Sequence, residues 1–300
     1  MGREDVQDVM QAARDRKRRD RRGPRRDGRC LRIPERFDGW RAATMATARR
    51  DNGGSGMIEK DGRRLTTLAE WRSHAPPKRA MHWKDGRSAK ENARLWLDAA
   101  PDLPSGIADL LGATGCIGTL RSWSAEPEAR VRFDALGEPA NLDVLVQAQD
   151  GTGPVVIGVE AKADESFGST MNQTLLAAEK RLAGNSRSRG VERMRVLATT
   201  FRLDLARPGI SELRYQLLTL TAATVAEAGR QSAERAVVIV HELVSGLAKP
   251  EYRARNARDL DGFLEAVFGH TGAVRPGMIA GPFRMDGVRA LYFGKTETVA

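Results

Sequence analysis

The chain has 300 residues, 41% hydrophobic and 29% charged, with 49 Lys and Arg against 39 Asp and Glu for a formal net charge of +10. That is the composition of a folded globular protein, and it excludes a collagen, a continuous coiled coil and a wholly disordered chain. No apolar run nears the roughly 20 residues that span a bilayer, so no membrane partner is expected; two widely separated cysteines, Cys30 and Cys116, with no signal peptide ahead of them point to a reducing cytoplasm.

Residues 1–56 hold 16 Lys and Arg against 9 Asp and Glu, +7 of the total, while the other 244 residues carry 33 against 30. The body is therefore nearly neutral and can focus positive potential only locally. The run from Arg14 to Arg26 has few apolar residues to bury and reads as a disordered basic arm. It is either an arm that neutralises phosphates or a solvated extension, with Met57 as the alternative first residue. Six acidic residues in the first thirty argue against a mitochondrial transit peptide.

The Gly-rich break Asn52 to Gly56 closes the arm, and a lead segment, 57–85, follows with Trp71, Pro76-Pro77 and Trp83. The main domain is placed at 86–268. Ser88-Ala89-Lys90-Glu91 reads as a capping box opening a helix over 88–100, with Ala89, Ala93, Trp96, Leu97 and Ala100 at helical spacing. A short helix near 104–112 follows Pro104. Alternation over Val131–Leu136, then β-rich stretches over Asn141–Ala148 and Val155–Ala163, predict three strands. Turn sequences at Gly137-Glu138-Pro139 and Asp150 to Pro154 make them an antiparallel meander. Met171, Leu175, Ala178 and Leu182 line one face of a helix; further helices are expected at 189–202 and 211–231. The β-rich stretch Ala236–Leu243, opened by the unbroken apolar run Ala236–Val240, predicts a central strand covered on both faces. Asp259–Phe268 reads as a helix, and 269–300 as a C-terminal β-hairpin extension turning at Asp286-Gly287.

Several chemistries lose their usual signals. Gly294-Lys295-Thr296 is not a phosphate loop, because Arg289 stands where that motif needs glycine. His74, His82, His241 and His270 lack zinc-ligand spacing, and neither a Gly-x-Ser-x-Gly elbow nor a Gly-x-Gly-x-x-Gly fingerprint occurs.

What remains is a set of charges inside apolar strands. Asp143 interrupts Asn141–Val146, and Glu160 and Lys162 interrupt Val156–Ala163. Glu160 and Lys162 are two apart and share a strand face, so with Asp143 they would converge at the mouth of one hairpin. Such desolvated charges are costly unless they pair or hold a metal. Two carboxylates with a backbone carbonyl near Ala161 and water suit Mg²⁺ or Mn²⁺, and a divalent ion there with Lys162 beside it suits phosphodiester hydrolysis. The bland alternative is a solvated Glu-x-Lys strand face.

The order helix, three-strand meander, helix, strand, with Asp143 on the second strand and Glu160-Ala161-Lys162 on the third, resembles the PD-(D/E)xK nuclease superfamily over about 86–245. The segments Trp83 to Glu91, Val159 to Gly168 and Leu213 to Leu218 look like a poorly characterised microbial branch of it. The resemblance implies an α/β fold, a restriction-endonuclease-like αβββαβ core with a mixed central sheet flanked by helices. It implies Asp143 and Glu160 as metal ligands, Lys162 as the catalytic lysine, and Glu91 as the acidic residue of the first helix, which its capping-box duty would also explain. Glu165 is either an acceptor that supports Lys162 from behind or a plain loop carboxylate. Arg214 and Gln216 are candidate nucleic-acid contacts, Arg214 alternatively a surface ion pair, and Glu128, just before the first strand, is expected at the surface with membership of the acidic cluster as the alternative. Leu220 stands where exonuclease-like members place a Tyr four residues after the Gln, which argues against processive end-resection.

The expectation is a Mg²⁺- or Mn²⁺-dependent nuclease acting on nucleic acid, DNA foremost, with a homodimer as the assembly to consider. The rival reading is a catalytically inactive nuclease-fold protein that works as a nucleic-acid-binding or assembly module through its arm.

Overall fold

A computed structural model describes residues 55–299 apart from Arg79, Leu205, Ala206 and Ala248. The expected basic arm lies almost wholly outside the described residues. Eight strands, β1 (Ser55–Lys60), β2 (Arg63–Arg64), β3 (Ser122–Val131), β4 (Ala140–Asp150), β5 (Gly153–Lys162), β6 (Arg235–Val244), β7 (Met278–Met285) and β8 (Val288–Val299), form one mixed sheet. Their order is β2-β1-β3-β4-β5-β6-β8-β7. The helices are α1 (Leu68–His74), α2 (Ser88–Ala99), α3 (Ser105–Ala113), α4 (Met171–Gly184), α5 (Gly190–Thr200), α6 (Tyr215–Arg230) and α7 (Pro250–Phe268).

Period-two alternation in the strands divides the core in two. Val155, Ile157 and Val159 join Trp71, Trp96, Ile107 and Leu110 on the face covered by α1, α2 and α3. Val156, Val238 and Val240 join Met171, Met194, Leu217, Leu220, Phe263 and Leu264 on the face covered by α4 to α7. The protein is thus mixed α/β, a sheet flanked by helices on both faces. As the unbroken apolar run predicts, β6 is central, parallel to β5 on one side and to β8 on the other. The β3–β4–β5 segment is the expected antiparallel meander. Among the described residues no helix is long and apolar enough to cross a membrane.

Several boundaries differ from the sequence expectation. The first meander strand runs from Ser122 to Val131, not from 131 to 136. Its buried positions are Trp123, Ala125, Pro127, Ala129 and Val131, and small side chains with a proline give a faint hydrophobic period. Phe133, which suggested a strand, lies beyond it under the Arg193 guanidinium, 4.5 Å from the ring centroid. Helix α7 starts nine residues earlier than Asp259, at Pro250 in its first turn. The C-terminal hairpin turns at Asp286-Gly287 as expected, but β8 runs on to Val299 and pairs with the whole of β6 over ten rungs. The lead segment also contributes β1, parallel to β3. Gly56, read as part of the Gly-rich break, is a strand residue with the Trp123 ring against it; a Cβ there would lie 2.0 Å from that ring. Met57 is the third residue of this strand.

Gly158 is fixed by the same kind of contact. A Cβ on it would meet Thr224 Oγ1 of α6 at 2.0 Å, so α6 packs on β5 only because that side chain is missing. Gly158→Ala should cost about 1–3 kcal/mol by overpacking. Gly112→Ala, on an α3 surface with nothing within 4 Å, should be neutral or stabilising by up to about 1 kcal/mol. Urea denaturation of the two variants distinguishes packing from backbone propensity.

Candidate active site

Strands β4 and β5 are hydrogen-bonded as far as the Val144–Val159 rung and then separate. Asp143 stands one residue past that rung. Its Oδ2 accepts a 2.7 Å hydrogen bond from the Ala161 N–H, so a side chain takes a place a strand carbonyl would otherwise fill. Glu160 and Lys162 project toward the face covered by α6. Lys162 Nζ donates to Glu160 Oε1 at 2.7 Å, with both side chains buried. Gln216, in the first turn of α6, donates from Nε2 to Glu160 Oε1 at 2.5 Å and accepts from Lys162 Nζ at 3.1 Å. Gln216 Oε1 also takes the Gly168 N–H at 3.4 Å.

Burial, then the nearby Glu160 charge, holds the Asp143 carboxyl well above the usual carboxylate range. Burial also raises Glu160, against the pull of Lys162. For Lys162 burial opposes the charge, but Glu160, Asp143 and Glu165 outweigh it and push the ammonium up to about 12. The site thus resists holding two negative charges, as closely spaced desolvated carboxylates do.

The donor set fits a hard divalent cation. Each carboxylate spends one oxygen on protein donors, Asp143 Oδ2 and Glu160 Oε1, and among the described residues Asp143 Oδ1 and Glu160 Oε2 have none. Among the described residues no three His, Cys, Asp or Glu side chains are grouped to hold an ion alone. An ion here would complete its shell from backbone carbonyl and water, as Mg²⁺ commonly does.

Glu165 lies in the loop after β5, where Asp143 and Lys162 both feel its charge, and its Oε1 accepts from Ser88 Oγ at 2.6 Å. That bond overturns the capping box read at Ser88–Glu91: Arg87 is the N-cap of α2, and no side chain caps it. The buried Glu91 is engaged differently, accepting from the Gly86 N–H at 2.7 Å and from Arg94 at 2.5 Å. Arg214 forms an ion pair, Nε to Asp259 Oδ2 at 2.9 Å, and its Nη1 donates to the Gly168 carbonyl at 3.1 Å.

One further participant was set at the surface by the sequence reading, and another escaped it. Glu128, expected at the surface, sits across from Asp143 between the Pro127–Val144 and Ala129–Leu142 rungs. Its backbone is left-handed, φ 46°, a strained conformation for a glutamate. Its Oε2 accepts from Asn141 Nδ2, and burial followed by the Asp143 charge pushes its carboxyl up to about 7. Asn256, buried on α7, fastens the loop after β5: Oδ1 accepts from the Phe167 N–H at 3.1 Å, and Nδ2 donates to the Glu165 carbonyl at 3.1 Å and to Glu242 Oε1 at 3.2 Å. The Phe167 ring centroid lies 5.4 Å from Lys162 Nζ. The acid in the apolar run of β6, Glu242, was the one sequence signal for this corner; it pairs in register with Lys162 and stands 3.7 Å from Lys295.

The site belongs to an α/β protein with a buried carboxylate–lysine cluster at a strand mouth. Residues 64–300 match the family described as "Domain of unknown function (DUF6946)", and the chain belongs to that family. No curated protein and no solved structure matches the chain.

Proposed function

We propose that this protein is a metal-dependent nuclease of the restriction-endonuclease-like class, hydrolysing phosphodiester bonds in nucleic acid, with DNA the expected substrate. The observation that carries the reading is the convergence of Asp143, Glu160 and Lys162 where β4 and β5 part, with one oxygen of each carboxylate left free. The element order supports it: a helix, the β3–β4–β5 meander, helices, then β6 parallel to β5. Asp143 and Glu160 would hold the ion. Mg²⁺ or Mn²⁺ at such a site offsets charge on a scissile phosphate and acidifies a water. The Ala161 N–H fixes the Asp143 carboxylate, and Gln216 with Lys162 fixes that of Glu160, so both present preset oxygens. Lys162 supplies a positive charge with N–H donors to steady charge developing on the phosphorus oxygens or to orient the attacking water.

The test is incubation of the purified protein with plasmid, single-stranded DNA and RNA. EDTA should stop cleavage and Mg²⁺ or Mn²⁺ should restore it. Ca²⁺ should support binding with poor turnover, because its looser coordination orients water less strictly. Undiminished cutting in EDTA, or no cutting of any substrate with any of these metals, overturns the proposal.

A further inference from the structure

The near-neutral balance of residues 57–300 conceals a segregation of charge. Residues 180–202 contain seven basic side chains, Lys180, Arg181, Arg187, Arg189, Arg193, Arg195 and Arg202, and one acid, Glu192. The rest of 57–300 carries 26 basic against 29 acidic. This segment is the last five residues of α4, the connecting turn, α5 and the residues just beyond it. Arg189 is used by Glu192, and Arg193 by Asp134 at 3.0 Å. The other five, Lys180, Arg181, Arg187, Arg195 and Arg202, are exposed, with no ion pair to any described residue. An exposed surface with five cations outside any ion pair of the described residues asks for a polyanion.

The hairpin is joined to the candidate site at both ends. Helix α4 begins immediately after the loop that leaves Lys162, and Thr170 at its N-cap bridges to Arg214, two residues before Gln216. Helix α5 is fastened to the β3–β4 connection, Arg193 bonding the Glu138 carbonyl at 2.6 Å and covering Phe133, and Asp143 follows in β4. We propose that the exposed face of the α4–α5 hairpin is a docking surface for the phosphate backbone of DNA running away from the cleavage site. This deepens the nuclease reading and rests on it for the choice of polyanion. The 14 residues of α4 extend about 21 Å, and a DNA strand advances roughly 3.4 Å per phosphate. The cations begin at Lys180, in the distal third of that helix, so they meet phosphates about four to six nucleotides from the scissile bond, and the surface selects a polynucleotide over a dinucleotide or a free nucleotide.

The experiment uses the full chain in EDTA, so that binding is read without cleavage. Anisotropy of a labelled 20-base-pair duplex is followed against salt for the wild type and for the variant carrying Lys180→Gln, Arg181→Gln, Arg187→Gln, Arg195→Gln and Arg202→Gln. Each phosphate that is no longer neutralised takes roughly 0.9 from the slope of log K on log salt, so the variant slope should fall by about 4–5, with affinity down at least tenfold. Two partial variants, one with the first three substitutions and one with the last two, should each give an intermediate slope, which a general loss of folding would not. Unchanged slope and affinity overturn the surface whether or not the protein cuts DNA. A reduced slope with no cleavage by the wild type in Mg²⁺ overturns the nuclease reading while the surface stands. Poly-glutamate competing as well as unlabelled duplex would make this a site for acidic protein and overturn the choice of DNA.

Discussion

Asp143→Asn, Glu160→Gln and Lys162→Ala should each lower the rate of DNA cleavage by about a hundredfold or more while the protein stays folded. Removing one preset group that stabilises transition-state charge typically costs that much. The three variants fail for different reasons. Asp143→Asn keeps an oxygen for the Ala161 N–H but loses the charge of the free oxygen. Glu160→Gln keeps an oxygen for Lys162 and Gln216 but loses the charge and puts an N–H donor where the free carboxylate oxygen stood. Lys162→Ala leaves Glu160 buried with Gln216 as its remaining partner. Circular dichroism and thermal melts report the fold, and plasmid nicking in Mg²⁺ reports the chemistry. Wild-type cleavage rates in any two variants, in preparations free of contaminating nuclease, would remove these residues from the mechanism.

Asp150→Ala should be the most destabilising single substitution outside the site, at about 3–5 kcal/mol, because it strands a charge that is mostly buried. Asp150 is completely enclosed at the β4–β5 turn and accepts from Arg235 through both oxygens, at 2.5 and 2.8 Å. It also receives the N–H groups of Gly118, Thr152 and Gly153 and the Thr152 hydroxyl. The Arg235 guanidinium, with these N–H groups, holds the carboxyl far below the usual Asp range. The sign follows: a depressed folded-state pKa contributes stability above the unfolded value near 4 and loses it only as pH falls through the depressed value. Between pH 7 and about 4, unfolding titrations of wild type and Asp150→Ala should therefore keep a constant gap, which narrows only in stronger acid. A difference below about 1 kcal/mol at pH 7 would mean that the turn relaxes around the missing carboxylate.

Strands β4 and β5 and the α4 and α6 stripes were legible from their apolar patterning, and β6 from the unbroken apolar run that opens it. Strand β1 was not, because Gly56 is there for the Trp123 ring and no local rule announces a cross-strand partner. The start of β3 was obscured by alanines and Pro127. In the candidate site Asp143, Glu160 and Lys162 stood out as charges in apolar strands, and the structure brings them together. Gln216 was identified, but its inward direction depends on where α6 crosses the sheet. Ser88 and Glu91 satisfied a local capping pattern, and the tertiary contact to Glu165 displaced it. Asn256 could not be read, since its three partners come from two other chain segments.

The position of β8 matters to a ribosome-bound chain. Strand β6 carries Ala236-Val237-Val238-Ile239-Val240, buried without interruption, and one of its two edges is closed by residues that emerge about fifty positions later. Until β8 has been synthesised, that edge is a bare row of backbone donors and acceptors on the most apolar strand of the sheet, the arrangement that recruits strands from other chains. The C-terminal hairpin therefore serves as the closing guard of the sheet. A chain truncated before Val288 should partition to aggregates during expression, even though every residue of the proposed active site is present.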